Sequence, residues 1–98
     1  MASVFKALAD PTRRRVLVLL RNQARTAGEL AKEFAVSRPT MSAHFTVLRE
    51  AGLVNSEKSG KTVTYSINLS VLEEALLSFT QSFGFELRAI DAAAQKLE

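Results

Sequence analysis

Between Val36 and Leu48 the chain carries one arginine among small hydroxyl-bearing and apolar residues, Ser37-Arg38-Pro39-Thr40-Met41-Ser42-Ala43-His44-Phe45-Thr46. At 100° per residue, Met41, Phe45 and Leu48 form one helical stripe. Pro39, Ser42, Ala43 and Thr46 then point away from it, flanked by Arg38 and Thr40. The outward residues are small, which permits a close approach to base edges, and Arg38 can donate two hydrogen bonds to guanine O6 and N7. Thr40 and Ser42 can each bond a base edge or a phosphate, and Ala43 or the Thr46 methyl suits a thymine methyl. Ser37 reads as the N-cap of this helix, with Pro39 in its first turn. The free N–H groups of a helix start favour a nearby phosphate. A solvated surface arginine is the plain alternative for Arg38, and for Ser37 the capping role comes before any contact. His44 flanks the buried stripe. As the only histidine it has no partners for a metal, so a half-buried ring bonding a neighbour or a phosphate is expected.

Bond-making chemistry has little to work with elsewhere. The 98 residues include no cysteine, which removes disulfides, thiolate metal sites and thiol redox sensing together. A Gly-rich phosphate loop and a convergent carboxylate pair are also missing, so an enzyme is not expected. Composition is that of a globular chain, 47% hydrophobic and 23% charged, which argues against disorder. The start of the chain lacks a basic stretch followed by a long apolar run, and no apolar stretch nears the ~18–20 residues of a membrane span. A soluble, cytoplasmic protein is expected. Net charge is +3, but residues 1–66 hold 11 Lys/Arg against 5 Asp/Glu, and residues 67–98 hold 2 against 5. A basic part joined to an acidic helix suggests a polyanion surface and a separate second surface. A merely solvated basic surface competes with that reading.

The elements that must position the Ser37 helix follow from caps and periodicity. A short apolar pattern, Val4, Phe5 and Leu8, ends at Asp10-Pro11-Thr12, where Asp10 caps a new helix and Pro11 suits its first position. That helix breaks near Asn22. Thr26-Ala27-Gly28-Glu29 matches a capping box and opens a short helix with Leu30 and Phe34 inward. The turn Phe34-Ala35-Val36-Ser37 links it to the next helix, which ends at Gly52 in a left-handed C-cap. Val63, Tyr65 and Ile67 alternate with Thr62, Thr64 and Ser66 after a Gly-containing turn, the pattern of a β-hairpin. Lys58 and Lys61 bracket its tip at Ser59-Gly60. Ser70-Val71-Leu72-Glu73 is a second capping box and launches the last and longest helix. Two short helices, a Ser-capped third and a hairpin is the order of a winged helix-turn-helix. Arg13, Arg14 and Arg15 span about 200° of arc on their helix, so they do not form one basic face.

These segments resemble the ArsR family of bacterial and archaeal repressors. The resemblance rests on Val4-Phe5-Lys6-Ala7-Leu8-Ala9-Asp10-Pro11-Thr12-Arg13, Ser37 through Phe45, Leu48-Arg49-Glu50-Ala51-Gly52-Leu53-Val54 and the wing from Gly60-Lys61 to Tyr65-Ser66-Ile67. It covers roughly residues 4–83, and within the family it points to the metal-independent, autorepressor-type branch. It implies base contacts from Arg38, Pro39, Ser42 and Ala43, a DNA or backbone contact from His44, and a wing that reaches the neighbouring minor groove or its phosphates. Two departures matter. Where the family's metal sensors carry a Cys-containing motif, this chain reads Glu29-Leu30-Ala31-Lys32-Glu33-Phe34. Other members bind zinc between the last helices with paired His and acidic residues, and this last helix has no His. Metal sensing is therefore not carried over, and neither a metal nor a cofactor is expected.

The last helix repeats apolar residues at Leu69, Leu72, Leu76, Phe79, Phe83, Leu87, Ile90, Ala94 and Leu97. This is a heptad-like seam with one four-residue insertion between Phe83 and Leu87, and Gly84 at that irregularity is placed to kink the helix or end its regular part. A chain of this size has too little core to cover such a seam, so a homodimer is expected. Its interface would take Leu72, Leu76, Phe79, Phe83, Leu87 and Ile90 with, as the resemblance implies, Val4, Phe5 and Leu8. The whole reading is a single mainly α domain over 1–98 with about five helices. Residues 1–9 and 69–98 supply the dimerisation helices, 26–52 the helix-turn-helix and 53–67 a small β-hairpin wing. Its DNA-binding surface comprises Ser37, Arg38, Pro39, Thr40, Ser42, Ala43, His44, Thr46, Lys58 and Lys61. The expected partner is an inverted-repeat operator in double-stranded DNA, and the expected function is repression. The competing reading is a winged-helix protein-interaction module without specific DNA binding.

Overall fold

The computed structural model describes residues 3–85. In chain order they form α1 (Val4–Leu8), α2 (Pro11–Leu19), β1 (Arg25–Thr26), α3 (Ala27–Ala31), α4 (Arg38–Glu50), β2 (Val54–Ser59), β3 (Thr62–Ile67) and α5 (Leu69–Ser82). The order is that of a winged helix-turn-helix, five helices with a small antiparallel sheet. Its core gathers Val16, Leu17 and Leu20 from α2 and its cap with Leu30, Met41, Phe45, Leu48, Leu53 and Tyr65. Met41, Phe45 and Leu48 are all buried, so the expected stripe of α4 does face inward.

Helix starts follow the cap chemistry at three of the expected places. The Asp10 carboxylate accepts the N–H groups of Thr12 (2.8 Å) and Arg13 (3.2 Å), two donors that the first turn of α2 leaves without helical partners. Thr26 and Glu29 close the capping box of α3 in both directions. The Ser37 side chain accepts from the Thr40 N–H at the head of α4. At the other end of α4, Gly52 (φ 78°) adopts the left-handed conformation. Its N–H donates to Arg49 O and that of Leu53 to Leu48 O, the two bonds of a Schellman motif. Leu48 and Leu53, which that motif brings together, are fully buried.

Four expectations are corrected. The hairpin belongs to a three-stranded sheet of order β1-β3-β2, because Arg25 and Thr26 pair with Tyr65 and Thr64. The link between α3 and α4 covers residues 32–37, tightened by bonds from Glu33 N to Leu30 O and from Phe34 N to Ala31 O. The wing turn is Gly60-Lys61, since Ser59 pairs with Thr62. Gly60 at its first central position has φ 61°, as a type II′ hairpin turn requires. Finally, α5 does not start from a Ser70 capping box. Its N-cap is Asn68, without a side-chain cap bond. The Asn68 N–H donates to Leu53 O and its carbonyl accepts from Val71 N–H, so the helix begins directly off β3 and Ser70 is already inside it.

The regular part of α5 closes at Ser82, where Gly84 N–H donates to Gln81 O and Phe85 N–H to Thr80 O. Leu87 and Ile90, and the seam beyond them, lie outside the described residues. Along α5 no residue is buried, although Val71 and Leu72 pack partly against the core. Among the described residues no helix is long and apolar enough to cross a membrane.

Candidate nucleic-acid interface

Helix α4 is fixed from behind by its buried stripe and at its head by Ser37, and it turns Arg38, Pro39, Thr40, Ser42 and Ala43 outward, all exposed. Its hydroxyl groups are not equivalent. A hydroxyl has one hydrogen to donate. Ser37 Oγ spends its hydrogen on Thr40 Oγ1 at 2.9 Å, and Thr46 Oγ1 spends its own on Ser42 O at 3.0 Å. Thr40 keeps a free hydroxyl hydrogen. Arg38 and the Ser42 hydroxyl have no intramolecular partner among the described residues. Outward donors therefore come from Arg38, Thr40 and Ser42, while half-buried Thr46 offers chiefly its methyl group and lone pairs.

Sequence reasoning missed the second wall of this surface. Between α3 and the head of α4 lies an open groove of about 420 Å³, with Gly28, Lys32, Val36, Arg38 and Ser42 on its walls and Met41 and Phe45 at the back. Lys32 is the C-cap of α3 and lines the same groove as Arg38. Nothing in its sequence neighbourhood signals that proximity, which the 32–37 link creates.

The wing is anchored to the same helix. Phe45 and Tyr65 rings lie 4.7 Å apart between centroids, in the range of favourable tilted aromatic contact. In the register Lys58 opposes Val63 and Glu57 opposes Thr64. Lys58 thus shares a face with Val63, whereas Lys61 sits in the turn itself. Both lysines are exposed.

The His44 side chain departs from the outward set, being 14% exposed. Its Nδ1 lies 3.1 Å from an Arg13 guanidinium nitrogen, and Nε2 lies 4.0 Å from Asp10 Oδ1. Arg13 also donates from Nε to Ala7 O at 2.7 Å and from Nη2 to Lys6 O at 3.1 Å. Arg14 donates to Leu8 O. Arg13 and Arg14 thus do structural work at the end of α1. Burial pushes the Asp10 carboxyl up, but the N–H groups of Arg13 and Thr12, aided by the Arg13 charge and by that of His44 only when its ring is protonated, hold it below its ordinary value. Glu29 is likewise held low, by the Thr26 N–H first, then the Thr26 hydroxyl, with Arg25 and Lys32 nearby.

A second surface lies at the far ends of the chain. Phe5 and Phe79 stand 5.0 Å apart between centroids, as do Phe79 and Phe83. These rings are 43%, 48% and 64% exposed, and Leu76 and Leu77 beside them are also open.

Residues 8–57 match the helix-turn-helix domain model. The transcriptional repressor SdpR of Bacillus subtilis is 40% identical over 76 residues, 78% of this chain and 84% of that protein. The crystal structure of an ArsR family transcriptional regulator superposes with a TM-score of 0.72 at 37% identity, covering 81% of this chain and 89% of the other. A possible transcriptional regulator for arsenical resistance gives 0.72 at 35% identity, covering 91% and 92%.

The chain belongs to the ArsR family of winged helix-turn-helix repressors.

The protein is accordingly a DNA-binding transcriptional regulator rather than an enzyme.

Proposed function

We propose that this chain is a cytoplasmic homodimeric repressor that reads an inverted-repeat operator, with α4 in the major groove and the β2–β3 wing on the flanking backbone. The observation that carries this is the helix face of free donors, Arg38, Thr40 and Ser42, on a helix clamped by a cap and a buried stripe. Arg38 and Ser42 read base edges. Pro39 and Ala43 allow close approach, with Ala43 or Thr46 against a thymine methyl. Ser37, Lys58 and Lys61 set register and supply affinity, since phosphate contacts position a protein and base contacts specify. Repression is by steric block of a promoter.

The exposed aromatic cluster of Phe5, Phe79 and Phe83, continued by Val4, Leu8, Leu72 and Leu76, forms the dimer face. Two copies of α4 about 34 Å apart would then meet successive major grooves on one side of the duplex. The repressor works without a metal, like an autorepressor. No cysteine is present, and the single imidazole is already engaged by Arg13 and lies beside Asp10.

The test is selection of bound fragments from genomic DNA by the full chain, followed by mobility shifts over a salt series with EDTA or with added zinc. Nanomolar-range binding to an inverted repeat, falling steeply with salt and indifferent to zinc and EDTA, is expected. Absent or salt-independent binding to every duplex would favour a protein-interaction module instead, and release by zinc would remove metal independence.

A further inference from the structure

We propose that Arg13 and His44 are positioning residues for DNA recognition, whose contact sets α4 against α1 and so against the dimer face. The proposal rests on the DNA-binding reading above.

An arginine side chain can only donate hydrogen bonds. The Arg13–His44 contact at 3.1 Å therefore needs an unprotonated Nδ1 as acceptor, which puts the hydrogen of a neutral ring on Nε2. That Nε2 faces Asp10 Oδ1 at 4.0 Å. The same carboxylate oxygen is fixed in place by the N–H groups of Thr12 and Arg13. A DNA phosphate approaching Nε2 would meet this carboxylate, and like charges at such distances repel. The ring is thus set up to hold its helix rather than to reach the backbone of DNA.

What it holds is informative. One guanidinium spans three elements: it stands on α2, donates twice to the C-terminal carbonyls of α1 (Lys6 and Ala7), and donates to the ring on α4. Its planar fork fixes direction as well as distance, which a lysine could not do. His44 lies two residues from Ser42 on α4, and Phe5 on α1 touches Phe79 in the exposed aromatic cluster. The Phe5–Phe79 contact, the α1 carbonyls bound by Arg13 and the Arg13–His44 contact therefore connect that cluster to the reading helix. A dimer reads two half-sites correctly only if each helix keeps a fixed angle to the dimer face. Loosening this contact should blunt specific binding and leave phosphate attraction intact.

The experiment compares His44→Ala, His44→Asn and Arg13→Lys with the unmodified chain. Affinity is measured for the selected operator duplex and a mixed-sequence duplex across a salt series, with dimer state by ultracentrifugation and ring tautomer by ¹⁵N NMR. His44→Ala and Arg13→Lys should weaken operator binding roughly 2- to 30-fold, the span expected for mutations along a coupling network. Mixed-sequence binding, the salt slope and the dimer should not change. His44→Asn, whose amide oxygen can take the place of Nδ1, should recover most of the loss, and the unmodified ring should carry its hydrogen on Nε2.

The proposal is overturned if His44→Ala weakens both duplexes equally and lowers the salt slope by about 1 per protomer, the mark of a lost phosphate contact. It is also overturned if the operator is bound as before while only melting temperature falls. Arg13→Lys supplies the same comparison if His44→Ala does not fold. Failure of the unmodified chain to bind any duplex removes the DNA-binding reading and this proposal together, whereas intact binding with insensitive variants removes the proposal alone.

Discussion

On the proposed reading face of α4, Arg38 carries more hydrogen-bond donors than any other side chain. It is exposed at the first position of the helix, and the fork of its guanidinium matches the acceptor pair of guanine. Arg38→Ala should cost about 1–3 kcal/mol of operator binding and relax base preference at one position in each half-site. Competition shifts against single-base operator variants at fixed salt check this. Equal losses on all sequences would make Arg38 a phosphate contact. Neighbouring hydroxyls divide by their hydrogen bonds: Thr40 and Ser42 can still donate, while Ser37 and Thr46 have given their hydrogens to Thr40 and to Ser42 O.

At the scale of elements, helix starts and the wing carry separate, measurable burdens. Asp10 caps α2 and Glu29 closes the box of α3, and both carboxyls are held below their ordinary values of 3.8 and 4.5. A carboxyl lowered in the folded state stabilises fully above its unfolded value, and that contribution disappears as pH falls through the folded one. Thermal stability should therefore drop on acidification below those ordinary values. Asp10→Asn keeps a competent N-cap but no titrating charge, so its melting temperature should be less sensitive to acid across that window. An unchanged acid limb in calorimetry would show that the Asp10 charge contributes nothing. In the wing, Lys58→Ala and Lys61→Ala should each weaken all duplexes alike and reduce the salt slope by about 1. A change in preferred operator sequence would instead assign the wing a reading role.

For the molecule as a whole, the decisive feature is the apolar surface that the described core leaves open. Helix α5 buries no residue of its own, and Phe5, Phe79 and Phe83 form an exposed chain of touching rings. Contiguous exposed apolar surface on a small chain marks an interaction site, and the partner proposed for it is a second copy. Phe79→Glu should give a monomer in ultracentrifugation at micromolar concentration. Operator affinity should then fall by orders of magnitude, because one half-site is lost and the phosphate contacts are halved. A variant that stays dimeric would place the interface elsewhere.

Local chemistry made much of this protein readable from its residues alone. Asp10-Pro11, Thr26 to Glu29, Ser37 and Gly52 are signals whose physics acts within a few residues, and the helix ends fall where they point. The Met41, Phe45 and Leu48 stripe is legible for the same reason, since helical periodicity needs no distant partner. Contacts between segments far apart in sequence were not readable. The pairing of Arg25 and Thr26 with Tyr65 and Thr64 leaves no periodic trace in a two-residue strand. The start of α5 at Asn68 depends on a hydrogen bond to Leu53, which no capping motif could reveal. The ring of His44 was open to either side on the helical wheel. In the fold it turns inward, where its Nδ1 meets Arg13, 31 residues away in the chain. The sequence alone determined which helix sets outward donors on a buried stripe, because caps and periodicity act within a few residues. Tertiary structure decided which of its side chains face outward, because that depends on partners distant in the chain.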